Sequence, residues 1–413
     1  MAVLSVALYL GEKSVPIWSP RIVIFIAIII RLLFLFRHPE LSDDIYRYLW
    51  DGATMLNGHN PYSLPPAAAQ PFDAETSRLL KLVNHPHLIT IYPPVAQIVF
   101  AAGSLLGGYL GLKSLLVTLD IATCLIVVKV LSIQKLPTSR AVMYAWHPLP
   151  VLEIASSGHI DGAAIFFMML AILFSIARLD DKPDLFIKDR FLAPLAGLLF
   201  SFALMVNLFP VVLFPAYLHL TREKRKTSFV LAMIAGGGVL LFPFLPDLSN
   251  MFVTLGVYLH NWEFAGFAYK TIQGVTSSGH VARLVLAAFF LVILAISYAA
   301  LFLGKKNSAI NQPQNFLFLP ALKTMYGITL AFLLLTPTLH PWYALYLVCL
   351  LPFVPGAAGI VLSWAVLLSY RVLIPFMLLG TWSDNDIIPG LIWGATIAAT
   401  LVTALVKKRS LRY

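Results

Sequence analysis

The sequence predicts an all-α membrane protein that crosses the bilayer many times. Of its 413 residues, 59% are hydrophobic and only 12% are charged, whereas ordinary soluble proteins carry roughly 25% charged residues. Apolar runs recur along the chain, and many have the roughly 17 to 25 residues with which a helix crosses a ~30 Å hydrocarbon core. A transmembrane β-barrel would show alternating segments of about ten residues instead. We therefore expect residues 1–413 to form a single integral membrane domain.

Thirteen apolar segments can be distinguished. They lie at 17–36, 93–111, 113–132, 138–157, 159–178, 191–206, 208–219, 227–245, 281–303, 319–337, 341–355, 357–379 and 388–406. Lysines and arginines cluster between them in short loops, at Arg222 to Lys226, at Lys305-Lys306 and in the tail Lys407 to Arg409. Such basic loops mark the cytoplasmic side of a membrane protein. The net charge of +10 is therefore attributed to membrane topology, and we expect no nucleic-acid partner.

The thirteen segments cannot all cross, because the first large loop would then share a side with the basic loops. The best exception is 138–157, which is interrupted by His147-Pro148-Leu149-Pro150, since proline removes a backbone donor and clashes with the preceding turn. We expect a re-entrant pair of short helices there, buried in protein, which leaves about twelve crossings. Residues 37–92 and 246–280 then form two large extracytoplasmic loops, whose Trp, Tyr, Pro and Gly suit interfacial helices.

A polar, acidic and aromatic segment, residues 42–62, follows the first apolar run. Ser42 suits the N-cap of a helix, and Gly58 with Pro61 would end it. Four side chains share one face of this helix by their spacing: Asp44, Arg47, Tyr48 and Asp51. Three carboxylates gain nothing from contact with lipid, so the segment indicates chemistry or binding at one membrane face. The alternative is that Asp43 and Asp44 only complement the helix dipole.

Several short motifs follow one another in a recognisable order. They are Ser42-Asp43-Asp44 with Asp51-Gly52, Gly58-His59-Asn60-Pro61-Tyr62, Tyr92-Pro93-Pro94, Trp146-His147-Pro148, Gly158-His159-Ile160-Asp161 and His340-Pro341-Trp342-Tyr343. In this order they resemble the GT-C superfamily of polyprenyl-phosphate-sugar-dependent glycosyltransferases. They are most similar to bacterial mannosyltransferase-type members and to the catalytic subunit of GPI mannosyltransferase I. Two positions depart from the pattern: His147 stands where Asn is usual, and Asn207 stands where Lys is common.

The resemblance implies an inverting glycosyltransferase that moves a hexose, with mannose as first candidate, from a polyprenyl phosphate sugar to a lipid-linked glycan or glycolipid. A carboxylate of the first extracytoplasmic loop would be the general base, a role that falls to Asp43 or Asp44. Asp44 is preferred because it shares a helix face with Arg47 and Asp51. The resemblance also implies that no metal or other cofactor is needed beside the lipid-linked sugar. It places the enzyme among the lipids of a prokaryotic plasma membrane, with its active site at the extracytoplasmic face.

Further residues are candidates for substrate binding. They are Arg47, Asp51, Asn60, Tyr62, His159, Asp161, His340, Trp342, Tyr343 and Arg371. Arginine suits a phosphate by its charge and fork geometry, and Arg371 lies inside an apolar run, where a charge is costly. It could instead snorkel, or pair with Asp120 or Glu153. Likewise, His159 and Asp161 could only cap a helix, and the aromatic residues at 340–343 could form an interfacial belt.

Other classes of function fit the sequence less well. A transporter or flippase would show repeated halves and ionisable groups near the bilayer midplane, whereas here these groups gather at one edge. A non-catalytic subunit would tolerate loss of the acidic pair. His85 and His87 lack the ligand spacing of a helix, and Cys124 and Cys349 form no CxxC pair, so no metal site is predicted.

Overall fold

The computed structural model describes residues 18–177, 188–307, 315–382 and 387–410. Within these ranges the backbone is helical, and extended pairing is limited to isolated bridges of Phe264 and Ala265 with Thr338. The α-helices of seven or more residues in the described ranges are α1 Pro20–Leu35, α2 Asp44–Leu56, α3 Ala74–Leu80, α4 Pro94–Leu105, α5 Gly108–Ile133, α6 Asp161–Ile176, α7 Leu192–Leu204, α8 Phe214–Leu220, α9 Lys226–Leu241, α10 Leu248–Asn261, α11 Phe267–Thr276, α12 Gly279–Asn307, α13 Asn315–Leu335, α14 Ala357–Ala365, α15 Leu373–Leu379 and α16 Ile387–Ser410. The predicted all-α class is confirmed for this part of the chain.

Six helical segments in the described ranges are long and apolar enough to cross a membrane. They are Gly108–Ile133, Glu223–Phe244, Gly279–Gly304, Leu317–Leu335, Ala357–Leu379 and Ile387–Leu405. A seventh results if Pro150–Ser156 and α6, which meet at an angle of 117°, count as one span. The count of twelve crossings is not confirmed, because predicted runs such as 191–206 and 208–219 hold short helices. With 13 residues in α7 and 7 in α8, neither reaches the roughly 20 residues of a full span.

The interrupted segment 138–157 is divided at its prolines, as expected. A short helix ends at Ala145, and a π-helical turn, Pro150–Ser156, begins after the break. The sharp bend falls one element later than predicted, between this π-helical turn and α6. The re-entrant arrangement of 138–157 is therefore not confirmed and stays a prediction.

The chain groups into two compact units. The first unit consists of residues 1–23, 134–149 and 262–413, and the second consists of residues 24–133 and 150–261. The second unit contains α2 to α10 and the whole predicted acidic segment, whereas α11 to α16 belong to the first. This grouping does not test whether residues 1–413 form a single membrane domain, and that expectation stays a prediction.

Helix α2 is held in the second unit by packing along its apolar face. Ile45, Tyr48 and Trp50 are almost fully buried, and the Tyr48 ring stacks on Phe100 of α4 at a centroid distance of 4.4 Å. Gly52 lies against the backbone carbonyl of Phe100, where any larger residue would collide. At the N-terminal end of α2, Ile45 lies against Gly158, so the acidic first turn of the helix faces the turn that precedes α6.

Candidate active site

Helix α2 begins one residue later than its sequence suggested. Asp43, not Ser42, is the N-cap residue, and the Ser42 hydroxyl accepts a hydrogen bond from the backbone N–H of Asp44 at 3.2 Å. The serine thus satisfies a free N–H of the first turn from a position outside the helix. At the other end, Gly58 adopts a φ of +77°, so the predicted termination there is confirmed.

The two acids at this N-terminus have different surroundings. Asp43 is exposed, whereas only 21% of the Asp44 side-chain surface is exposed. The Nδ2 group of Asn84 donates to Asp44 Oδ1 at 2.7 Å and to Asp43 Oδ1 at 2.9 Å. Asn84 therefore holds both carboxylates in fixed positions, and Asp44 is the one that stays partly open while enclosed by protein.

The environment of Asp44 disfavours its charge. Burial, followed by repulsion from Asp43, raises the pKa of Asp44 from 3.8 to about 7. The negative charge of Asp161 acts in the same direction, while the Asn84 hydrogen bond and the positive charge of Arg47 lower the pKa. A carboxyl group with a pKa near neutrality can exchange a proton under ordinary conditions, which a carboxyl group of normal pKa does poorly.

His159 lies beside Asp44. Its Nδ1 atom is 3.8 Å from Asp44 Oδ2, and its Nε2 atom is 3.4 Å from Glu153 Oε2. Gly158, with a φ of +77°, allows this approach, because a Cβ atom there would lie 2.8 Å from Ile45 Cδ1 and 3.2 Å from Lys113 Cγ. The glycine of the Gly158-His159-Ile160-Asp161 motif is thus required both by backbone conformation and by space.

Asp161 completes the cluster from the first turn of α6. It is buried, with 3% of its surface exposed, and its Oδ1 accepts a hydrogen bond from Asn207 Nδ2 at 3.0 Å. Asn207 Oδ1 in turn accepts from the backbone N–H of Phe209 at 3.0 Å. The asparagine that departs from the resembled pattern therefore orients Asp161 through a neutral hydrogen bond, where a lysine would bring a charge.

Arg47 and Asp51, which their spacing placed on one face of the helix, form an ion pair. Arg47 Nε lies 2.9 Å from Asp51 Oδ1, and Arg47 Nη1 donates to the Leu88 carbonyl at 2.9 Å. Gln97 approaches the second oxygen of Asp51 at 3.4 Å. Both charged side chains are nearly buried and join α2 to the segment after α3, and their role toward a substrate stays a prediction.

Asn60 and Tyr62 are engaged with α10 and the turn before it. Asn60 Nδ2 donates to Asp247 Oδ2 at 2.9 Å, and Asn250 Nδ2 donates to the Tyr62 carbonyl at 3.0 Å. The Tyr62 ring is fully buried, and its hydroxyl donates to the Tyr92 carbonyl at 2.7 Å. The Asn60-Pro61-Tyr62 motif thus connects the first loop with the start of the second within the second unit.

The motif His340 to Tyr343 belongs to the first unit and is part of an aromatic stack. The His340 ring lies 4.2 Å from the Trp342 ring at an interplanar angle of 5°, and 5.0 Å from the Phe264 ring on its other side. Burial lowers the pKa of His340 to about 3, so the ring is neutral near pH 7. Tyr343 meets His340 edge-on at 5.5 Å.

Arg371 lines a cavity of about 430 Å³ in the first unit. The cavity wall includes Phe264, Ala265 and apolar residues of α15 and α16. The Arg371 side chain is exposed, and in the described part of the chain it makes no hydrogen bond or ion pair. Of its predicted structural partners, Asp120 bonds to Arg31 at 2.6 Å and Glu153 faces His159.

Among residues 18–177, 188–307, 315–382 and 387–410, no three His, Cys, Asp or Glu side chains are grouped so that they could hold a metal ion. The rings of His85 and His87 lie 6.2 Å apart. The expectation that the reaction needs no cofactor stays a prediction.

Two members of the cluster were not predicted as site residues. Asn84 lies in a loop, and its contact with Asp44 depends on how the chain returns after α3, which no local pattern reveals. Glu153 does carry a signal, because a carboxylate inside an apolar run is costly and is often functional. The sequence suggested it only as a partner for Arg371.

The helical architecture with several apolar spans and the acidic cluster at Asp44 are compatible with the class that the motifs resemble, a membrane-embedded glycosyltransferase of the GT-C type. The model of glycosyltransferase family 87 matches residues 90–312, more than half of the chain, and the protein belongs to this family. The resemblance to the GT-C superfamily is thereby confirmed, and the relation to mannosyltransferases stays a prediction. The matched range includes Glu153, His159 and Asp161 but begins after α2. No curated protein and no solved structure matches the chain.

Proposed function

We propose that this glycosyltransferase moves a hexose, with mannose as first candidate, from a polyprenyl phosphate sugar to a lipid-linked glycan or glycolipid. The acceptor hydroxyl attacks the anomeric carbon from the side opposite the phosphate, so the anomeric configuration inverts. A phosphate ester leaves readily, so the task left to the protein is to remove the proton of the acceptor and to stabilise the departing phosphate.

Asp44 is proposed as the general base, and its partly open position beside Asn84 and His159 is the observation that carries this proposal. A pKa of about 7 suits a base, because near neutral pH it combines a substantial ionised fraction with good proton affinity. Asp43 is exposed, and its negative charge acts by raising the pKa of Asp44. Three further residues are proposed to bind the acceptor or to hold it in position. They are Asp161, which Asn207 orients, and the paired Arg47 and Asp51.

Arg371 is proposed to bind the donor phosphate. An arginine that has no hydrogen-bond or ion-pair partner among the described residues, in an apolar cavity, suits a ligand that combines a phosphate with an isoprenoid chain. The volume of about 430 Å³ lies within the range of ligand pockets, roughly 300 to 1,000 Å³. Trp342 and Tyr343, whose rings contact His340, are proposed to offer aromatic surface on which a sugar or an isoprenoid unit can pack.

We place the reaction at the extracytoplasmic face of a prokaryotic plasma membrane, with about twelve crossings in all. The basic clusters at Arg222 to Lys226 and Lys407 to Arg409 support a cytoplasmic side for those ends. The acidic segment 42–62 has no such cluster. Labelling of single cysteines introduced at Asn57 and at Lys224 tests this, since the proposal requires opposite sides for the two positions.

The substrates can be tested with purified protein and synthetic lipids. Polyprenyl phosphate sugars that differ only in the hexose are offered with a short-chain glycolipid acceptor, and the product is analysed by mass spectrometry and by NMR of the anomeric proton. We expect transfer of one hexose with inversion, and mannose should give the highest rate. Retention of configuration, or transfer only from nucleotide sugars, would contradict the proposal.

A transporter or flippase without glycosyl transfer is the remaining alternative. Reconstituted vesicles can separate it from the enzyme, because a flippase moves the labelled donor lipid across the bilayer without consuming it. We expect conversion of the donor and release of polyprenyl phosphate. If the intact donor lipid crosses the bilayer and no glycosylated product forms with any of the donor sugars, the alternative is favoured.

A further inference from the structure

Three ionisable side chains of the second unit form a row. Glu153 and His159 are almost completely buried, with 0% and 1% of their surfaces exposed, whereas Asp44 keeps 21%. The imidazole lies between the two carboxylates, 3.8 Å from one and 3.4 Å from the other. Of these three side chains, Asp44 alone is open to a substrate, and His159 and Glu153 lie behind it in the protein interior.

The backbone fixes this order. Glu153 belongs to the π-helical turn Pro150–Ser156, a form that is rare in proteins and frequent at functional sites. The backbone N–H of His159 donates to the Glu153 carbonyl at 2.8 Å, which ties the two residues together. Gly158 then reverses the chain with its positive φ, so the imidazole is directed between Glu153 and the N-terminus of α2.

We propose that Glu153 and His159 are positioning residues for glycosyl transfer, which hold a proton on the imidazole beside Asp44 and so keep Asp44 ionised for the acceptor hydroxyl. This inference rests on the proposed role of Asp44 as general base. A positive charge at 3.8 Å favours the ionised carboxylate, and Glu153 balances that charge from the far side of the ring. Without Glu153, a buried imidazolium would lack its second counter-charge.

Other charged groups around His159 do not replace this arrangement. Lys113 of α5 reaches past Gly158, but its Nζ donates to the Arg37 carbonyl at 2.5 Å, at the C-terminal end of α1. Asp161, the next acid along the chain, is bonded to Asn207. From α2, Arg47 is paired with Asp51 and Asp43 is held by Asn84.

The direction in which replacing Glu153 or His159 shifts the protonation of Asp44 depends on how far each removed charge lies from Asp44. Replacing His159 removes the positive charge next to Asp44 and leaves the negative charge of Glu153. Replacing Glu153 removes that negative charge and, with it, the proton that the imidazole carries beside Asp44. The nearer charge has the larger effect, because Coulomb energy falls with separation. Asp44 should then take up its proton at higher pH. We expect a rise of at least about one pH unit for such a loss at short range.

The test is the pH dependence of kcat/KM for sugar transfer by full-length protein, with the variants Glu153→Gln and His159→Gln. In both variants, the acidic limb of the profile should shift to higher pH by at least about one pH unit, and the rate should recover at alkaline pH. Glu153→Asp should return the limb toward the wild-type position. His219→Gln, which changes a buried histidine of α8 with 2% exposure, should leave the limb in place.

The outcomes separate the two proposals. If Glu153→Gln and His159→Gln lower the rate equally at every pH, the pair is merely structural and this inference is wrong, while inactivity of Asp44→Asn still supports Asp44 as base. If Asp44→Asn transfers sugar at the full rate, the proposed base itself is wrong. Should Glu153→Gln fail to fold, His159→Gln and His159→Asn carry the same test.

Discussion

Asn84 Nδ2 lies 2.7 Å from Asp44 Oδ1, and this contact favours the charged carboxylate in a place where burial and Asp43 oppose it. The pKa of about 7 is therefore a balance between neighbours. Each neighbour can be removed separately, which makes the direction of the resulting shift a strict test of the site.

Asn84→Ala should weaken the enzyme at neutral pH. Loss of the hydrogen bond raises the pKa of Asp44, because the charged form loses a donor. If the pKa rises by about one unit, the ionised fraction at pH 7 falls roughly fivefold, and kcat/KM should fall with it and recover at higher pH. Asn57→Ala, at the other end of α2, removes only a bond to the Ala53 carbonyl and should leave the profile unchanged.

Asp43→Asn should have the opposite effect. Asp43 raises the pKa of Asp44 by repulsion, so a neutral residue there lowers the pKa and moves the acidic limb of the kcat/KM profile to lower pH. The maximal rate should stay close to wild type. An inactive Asp43→Asn protein with normal folding would exchange the assigned roles of the two acids.

Gly158→Ala should destabilise the fold and impair transfer. The new Cβ atom would lie 2.8 Å from Ile45 Cδ1 at a φ of +77°, and overpacking of this kind costs roughly 1 to 3 kcal/mol. Gly58→Ala is the matched control, because it has the same φ and no atom within 4 Å of the added Cβ. Thermal unfolding in detergent should show a larger loss for Gly158→Ala, partly restored by adding Ile45→Val. Equal losses in the two single variants would show that crowding at Gly158 is unimportant.

Arg371→Gln should weaken donor binding. If the guanidinium binds the donor phosphate, its loss raises KM for the polyprenyl phosphate sugar by roughly ten- to a hundredfold, the effect of losing about 1.5 to 3 kcal/mol from a charged hydrogen bond. KM for the acceptor should change little. Arg78→Gln, at an exposed position of α3, controls for the loss of one positive charge. An unchanged donor KM would remove Arg371 from the site.

Asp44→Asn should gain stability as it loses activity. Because the folded pKa of Asp44, about 7, lies above the unfolded value of 3.8, ionisation costs the folded state stability that is fully present below pH 3.8 and is lost as pH rises to 7. The Tm of Asp44→Asn should therefore exceed the wild-type value increasingly across this interval. Asp73→Asn should behave oppositely, since its hydrogen bonds to Thr76 lower the pKa of Asp73 and so stabilise the fold above that pKa.

The helical class and the acidic face of α2 could be predicted because they depend on local patterns. Composition and apolar run length determine the membrane helices, and i, i+4 spacing brought Arg47 to Asp51. The number of crossings could not be predicted equally well, since run length does not reveal where a helix breaks. The segment 208–219 reads as apolar throughout but contains a turn at Phe209 to Leu213 before α8.

The candidate site could be predicted only in part. The motifs led to Asp44, His159 and Asp161, which the fold brings together. They did not reveal Asn84 or Glu153, because those contacts arise from a loop return and from a π-helical turn. The contacts of Asn60 and Tyr62 with the second large loop were likewise not predicted, and their role toward a substrate stays a prediction.

The most direct test of the account is a single-turnover assay of sugar transfer by Asp44→Asn with saturating polyprenyl phosphate sugar and a measurement of donor affinity on the same protein. If Asp44 removes the acceptor proton, the transfer rate should fall by roughly a hundred- to ten-thousandfold, with donor affinity unchanged. Transfer at the wild-type rate by this variant, correctly folded and fully loaded with donor, would contradict the account.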